Sequence, residues 1–224
     1  MELNADFDSR AIVHGAKTPW IKSPMPGVDR RMLDRLGDEV ARATSIVRYA
    51  PESHFSPHVH TGGEEFLVLD GVFQDEHGDF PTGTYVRNPP QSSHTPGSEQ
   101  GCTIFVKLWQ FDMDDRTQIV VQPGDMVFQP TASGVRTAEL FRDANEHVVM
   151  EHWDSGTPVD LDAPGGMEVL VTEGSFELDG ELFEPQSWLR LPAGGSAAVS
   201  AGADGAKVWI KRGHLTRKPQ PPTV

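Results

Sequence analysis

Cysteine is nearly absent from this chain of 224 residues: Cys102 stands alone, so no internal disulfide can form and packing must supply the stability. Basic residues are scarce as well. The 19 Lys and Arg face 33 Asp and Glu, for a formal net charge of -14. No Lys/Arg run is longer than two residues, so nucleic acid and anionic membrane surfaces are repelled and excluded as partners. Long apolar runs are missing too, and no window reaches the roughly 18 apolar residues that a membrane-spanning helix needs. The opening stretch MELNADFDSRAIVHGAKTPW carries acids and has no continuous apolar segment, which excludes a signal peptide. A cytoplasmic protein is expected.

What is present is turn chemistry and short apolar strings. The chain has 22 Gly and 18 Pro, many for a helical protein and natural for one built of short strands. GGEEFLVLDGVF at 62–73 lies over GGMEVLVTEGSF at 165–176 with a constant offset of 103. The same offset carries TYVRNP at 84–89 onto SWLRLP at 187–192, matching Arg87 with Arg190 and Pro89 with Pro192. Extended upstream, it pairs Ile46 with Val149; one inserted residue downstream then pairs Lys107 with Lys211. A gapless run with matching Gly, Arg and Pro is the mark of an internal duplication. It implies two tandem domains, 1–112 and 113–224.

Each copy reads as β. EFLVLDGVF and EVLVTEGSF are rich in Val, Leu and Phe, and ELDGEL at 177–182 holds the Asp-Gly pair that closes a two-residue hairpin. CTIFVKLWQF and AKVWIKRGHL read as the closing strands. RRMLDRLGDEVARA at 30–43 alone has helical composition, with a strand and turn as the alternative. Many short antiparallel strands in about 100 residues make a sandwich or a small barrel.

The chemistry concentrates in HVHTGGEE at 58–65. Side chains at i and i+2 of a strand share a face, so His58 and His60 can converge on one ion. Glu64 follows a Gly pair and can bring its carboxylate to the same interior, whereas Glu65 should face the other way by alternation. His94, after NPPQSS, is the fourth candidate. Imidazole and carboxylate suit zinc, iron, manganese, nickel or copper. His54 and His77 are expected at the surface, and His14, His147, His152 and His214 share no converging spacing. At the offset of 103 the second copy has Leu161, Ala163, Met167 and Ala197 at the four ligand positions, so it should hold no metal.

HVHTGGEE, LVLDGVFQDEHGDFPTGTYVRNPPQSSHTP and GCTIFVKLWQ resemble the cupin motifs, specifically the C-terminal cupin of the ChrR anti-sigma factors and their stand-alone relatives. The likeness is close over about residues 18–112 and weaker over the second half. It implies an all-β double-stranded β-helix, the jelly-roll barrel of the cupins, in two tandem copies. It also implies one divalent metal per chain on His58, His60, Glu64 and His94, with zinc first and iron or manganese as alternatives. The family's sigma-binding module carries a His-x3-Cys-x2-Cys zinc pattern that this sequence lacks. The resemblance therefore implies a regulatory or sensing metalloprotein acting through a protein partner in a sigma-factor pathway.

The rival class is an iron-dependent dioxygenase cleaving small diketones or hydroxyketones, with a small-molecule ligand in place of the protein partner and Arg87, Tyr85 or Lys107 as candidate anchors. A homodimer is expected, because exposed β edges in small barrels are often covered by a second subunit. Cys102 is a candidate redox sensor or a small buried hydrophobe.

Overall fold

Gly71 shows how this chain rolls flat strands into barrels. It lies in Glu64–Asp75 with φ 73°, and a Cβ there would run into the Gly101 carbonyl just before the neighbouring strand Cys102–Leu108. A glycine is required at that close approach. Just beside it the pairing with Cys102–Leu108 shifts register between Thr103 and Ile104, and a bulge of this kind bends the strand and increases its twist. The long strand thus serves two walls: residues 64–67 pair with Tyr85–Asn88, and residues 72–75 pair with Gly78–Pro81.

The computed structural model describes residues 1–38 and 40–222. It is all β, with two short 3-10 turns at Gly15–Lys17 and Pro123–Asp125 and no α-helix among the described residues. The chain forms two compact units. The first comprises residues 1–5, 19–125 and the tail from 220; the second comprises residues 6–18 and 126–219.

In the first unit the main sheet runs, in neighbour order, Ile119–Val121, Tyr85–Asn88, Glu64–Asp75, Cys102–Leu108, Ala41–Tyr49, Val28–Gly37 and Ile21–Lys22, all antiparallel. The segment 30–43 is therefore two strands, not a helix. Val28, Arg30, Met32 and Asp34 alternate toward a common interior cavity, and this period of two overrides the helical composition. Phe66, Val68, Val86, Ile104 and Val106 form the apolar core facing that interior.

The second unit repeats this plan with Ala11–His14, Ser187–Leu191, Met167–Leu178, Gly195–Arg212, His147–Trp153 and Val135–Arg142 as successive neighbours. The ELDGEL hairpin forms as expected, with Asp179 and Gly180 both at positive φ between Leu178 and Glu181.

Register shows where the repeat holds. Glu65 is paired with Arg87 and Lys107, and Glu168 with Arg190 and Lys211. All six side chains are buried. The upstream pairing of Ile46 with Val149 is off by one. Lys107 faces Thr44 while Lys211 faces Val148, so Thr44 corresponds to Val148, Ser45 to Val149 and Tyr49 to Trp153. Both Ile46 and Val149 are buried hydrophobics, so composition hid the slip that the pairing reveals.

Candidate metal centre

The first unit brings His58, His60 and His94 together: one nitrogen from each lies within 4.8 Å of the others, an arrangement that can hold a metal ion. The backbone explains the convergence. His58–Val59 pairs with Ser93–His94, placing His58 directly opposite His94. His60 continues that strand, donating its N–H to the Ser92 carbonyl at 2.8 Å and accepting from Gln91 N–H at 2.9 Å. The Gly62–Gly63 pair then reverses the chain. Here the requirement is space as well as φ, since side chains at these positions would strike the Trp109 and Phe111 rings.

Glu64 enters from the start of the long strand. Its Oε2 is 3.5 Å from His60 Nε2 and 3.7 Å from His94 Nε2. His60 Nε2 and Glu64 Oε2 are both buried without a hydrogen-bond partner. Two orphaned atoms with lone pairs aimed at one point are costly in a bare protein, and a cation between them would satisfy both. The four residues thus fit a metal of the kind that imidazole and carboxylate ligands bind.

Protonation follows the surroundings. Burial holds His58 and His60 below the ordinary imidazole value, which keeps them neutral and able to donate a lone pair. Burial acts on His94 in the same direction, but Asp75, Glu64 and Glu76 outweigh it and raise His94. Asp75 Oδ2 accepts from His94 Nδ1–H at 3.2 Å. This fixes the tautomer that leaves Nε2 facing Glu64, the role that carboxylates commonly play behind metal-bound histidines.

Asp75 escaped the sequence reading. Simple alternation from Glu64 puts even-numbered residues inside, but the bulge near Gly71 reverses the parity, and Phe73 and Asp75 face the site.

Glu65, the rival to Glu64, points to the other face of the sheet. Its carboxylate accepts from the Tyr85 hydroxyl at 2.6 Å in a wholly buried setting. Arg87, Tyr85 and Lys107 belong to that same face and are not substrate anchors. Arg87 pairs with Asp115 at 2.5 Å and stacks on Phe111, while Lys107 donates to Thr44 Oγ1. Their counterparts around Glu168 recur where no metal cluster forms, which marks the set as structural. Cys102 lies within the apolar core, and burial pushes its thiol up to about 11, so it is not poised as a redox sensor.

In the second unit the corresponding positions are closed with hydrocarbon. Leu161 is paired with Ala197 as His58 is with His94. Leu161, Ala163, Met167 and Leu178 all belong to the buried core, with Ala197 packed against it. Leu178 occupies the place of Asp75. Among the other histidines, His54 is exposed near Glu99 and His77 is exposed in its turn. His14, His147 and His214 each contact a glutamate in the second unit, and His152 packs on Phe128.

A cavity of about 540 Å³ adjoins the cluster inside the first unit, with His58 and Glu64 in its wall. Much of its lining is apolar, including Met25, Val28, Met32, Ile104 and Val106, and Arg30, Asp34, Arg35 and Tyr49 are its polar members besides His58 and Glu64.

A barrel of short antiparallel strands with a His-x-His, Glu and distant His converging inside is the cupin architecture. Residues 8–112 match the model of the ChrR Cupin-like domain family, and the fold is that of the cupin barrels. No curated protein matches the chain in sequence. Solved structures with the same fold include a proposed dioxygenase of Nostoc punctiforme, 12% identical with a TM-score of 0.72, covering 100% of this chain and 86% of that one. The oxalate decarboxylase of Lactobacillus farciminis, solved with formate, is 10% identical with a TM-score of 0.65, over 91% of this chain and 85% of that one. The 7S globulin of Momordica charantia is 12% identical with a TM-score of 0.64, over 91% and 84%. One fold hosts all three, so function has to be argued from the site. No helix among the described residues is long and apolar enough to cross a membrane.

Proposed function

We propose that His58, His60, Glu64 and His94 hold one divalent metal ion, and that the first unit is a metal-dependent enzyme of the dioxygenase type acting on a small diketone or hydroxyketone. The observation that carries this reading is the cavity of about 540 Å³ opening directly onto His58 and Glu64. A site that only held a shape would not need a chamber large enough for a small molecule against its ligands. The pattern of loss in the duplicate supports the metal. Four ligand positions and the Asp75 position became apolar together, while the buried Glu-Arg-Lys set on the other face was kept in both copies.

Held by His58, His60, Glu64 and His94, iron or manganese would supply Lewis-acid and oxygen chemistry to a ketone substrate. The chain supplies the rest. Asp75 orients His94, and burial keeps His58 and His60 neutral. The apolar cavity wall excludes water from an oxygen-bearing ligand. A regulatory role is the second reading, favoured by the match of residues 8–112 to the ChrR Cupin-like domain; it calls for zinc in a closed four-ligand shell and a protein partner.

Elemental analysis of protein purified without added metal, followed by oxygen-uptake assays with pentane-2,4-dione and simple hydroxyketones, separates the two. Iron or manganese near one per chain with substrate-dependent oxygen uptake is expected. Zinc near one per chain, with no uptake after exchange to iron, would overturn the enzyme reading in favour of the regulatory one.

A further inference from the structure

Three charged residues besides the ligands line the cavity: Asp34 lies 3.7 Å from Arg42, Arg35 donates to the Asp38 carbonyl, and Arg30 is left without a carboxylate against it. Arg30 projects from the strand Val28–Gly37 into the same chamber as His58 and Glu64. Three other arginines of this unit have a carboxylate beside them. Arg42, Arg48 and Arg87 each lie against an aspartate, at 3.7, 2.7 and 2.5 Å. Arg30 instead donates to the neutral hydroxyl of Ser23, and no ion pair to it is found among the described residues. Burial is the largest influence on its guanidinium and pulls it below its ordinary value, with Arg35 adding like-charge repulsion. In a chain with 33 acidic residues against 19 basic ones, a half-buried arginine without a carboxylate is an unbalanced cost that an anionic ligand would offset.

The duplicate sharpens the point. Arg30 pairs with Val47, which pairs with Ile104. The matching chain of pairs in the second unit is Thr137 with Glu151 and Glu151 with Val208. Thr137 therefore stands where Arg30 does, and its hydroxyl bonds to Thr131. The cationic residue occurs only in the unit that has the metal cluster and its cavity.

We propose that the ligand of this cavity is a keto acid: its carboxylate is held by Arg30 at one wall, its oxygenated carbon chain lies along the apolar lining, and its dicarbonyl end faces His58 and Glu64. The assignment deepens the proposed enzyme reading and rests on it for the dicarbonyl end, whereas the carboxylate end rests on Arg30 alone. Guanidinium is suited to the task, since its planar fork can meet both carboxylate oxygens.

The probes are 4,6-dioxoheptanoate and its uncharged methyl ester, with binding measured by calorimetry on metal-loaded protein at fixed ionic strength. The acid is expected to bind at least about ten-fold more tightly than the ester, the size of effect typical of a hydrogen bond to a charged group. Arg30→Gln should abolish that ratio while leaving metal content and ester affinity unchanged, and Arg30→Lys should keep part of it. Thermal unfolding of both variants identifies any that do not fold, and the acid-to-ester ratio in the wild-type protein needs no variant at all. Equal affinity of the wild-type protein for acid and ester, no binding of the acid, or a ratio that survives Arg30→Gln would each overturn the assignment. His60→Ala separates the two readings. If it keeps its metal, the ligand set fails, and the Arg30-dependent ratio still stands or falls separately.

Discussion

Glu64 and Glu65 are adjacent carboxylates that the structure sends to opposite faces of one strand, so the pair of variants Glu64→Gln and Glu65→Gln should dissociate cleanly. Glu64 Oε2 is buried, has no hydrogen-bond partner and lies 3.5 Å from His60 Nε2. Its loss removes a proposed ligand, and metal affinity should fall by more than the roughly 10–100-fold typical of losing a supporting residue. Stability of the metal-free protein should change by about 1 kcal/mol or less, because no existing hydrogen bond is broken.

Glu65 is 1% exposed and sits in register between Arg87 and Lys107. Neutralising it leaves buried cations undercompensated, which costs about 3–5 kcal/mol. Arg87 keeps Asp115 and Lys107 keeps Thr44, so the lower end, about 3 kcal/mol, is expected. For a chain of this length that lowers Tm by about 6–12 °C, with metal stoichiometry unchanged. Elemental analysis and calorimetric melting of both variants, with and without metal, read the two effects separately. If Glu65→Gln emptied the site while Glu64→Gln kept one ion per chain, the assignment of faces would be refuted.

Asp75→Asn should weaken metal binding by about 10–100-fold with little change in the melting of the metal-free protein, checked by competition with a chelator. The pH dependence follows from the same contact. Because His94 is raised above the ordinary value of 6.5, an ion must displace its proton, and metal affinity should fall as pH drops through that raised value. In metal-free protein the sign reverses: stability from His94 is fully present below the ordinary value and lost as pH rises through the folded one. Met167→Ala, at a 1% exposed core position, should cost about 2–5 kcal/mol in denaturant unfolding and leave the metal content untouched. Cys102, its thiol pushed up to about 11, should resist alkylation at pH 8 in the folded protein and react rapidly in denaturant.

Much of the fold was legible because its signals are local. Gly-Gly at 62–63 and 165–166, the Asp-Gly hairpin at 179–180 and the alternating Val/Leu/Phe strings each depend on a few neighbouring residues. The cluster of His58, His60 and His94 was legible too, since i, i+2 spacing fixes a common face and His94 follows the turn-rich NPPQSS on the approach to another strand. What failed did so at irregularities. The helix reading of 30–43 rested on composition, and the slip between Ile46 and Val149 came from an unseen one-residue difference in the connection that follows. Asp75 was hidden by the bulge at Gly71, which reverses the parity on which inside-outside arguments depend.

The sequence by itself determined the class of structure, the repeat and the identity of the ligand candidates, because short-range periodicity and residue chemistry do not depend on what lies across the barrel. Only the tertiary structure decided that Asp75 stands behind His94, that Arg87, Tyr85 and Lys107 form a buried network on the other face, and that Arg30 enters the cavity with no carboxylate against it. Those are properties of strands far apart in sequence. Their register is set by bulges and turns whose effect accumulates along the chain, so each residue's neighbours are fixed only once every strand has been paired.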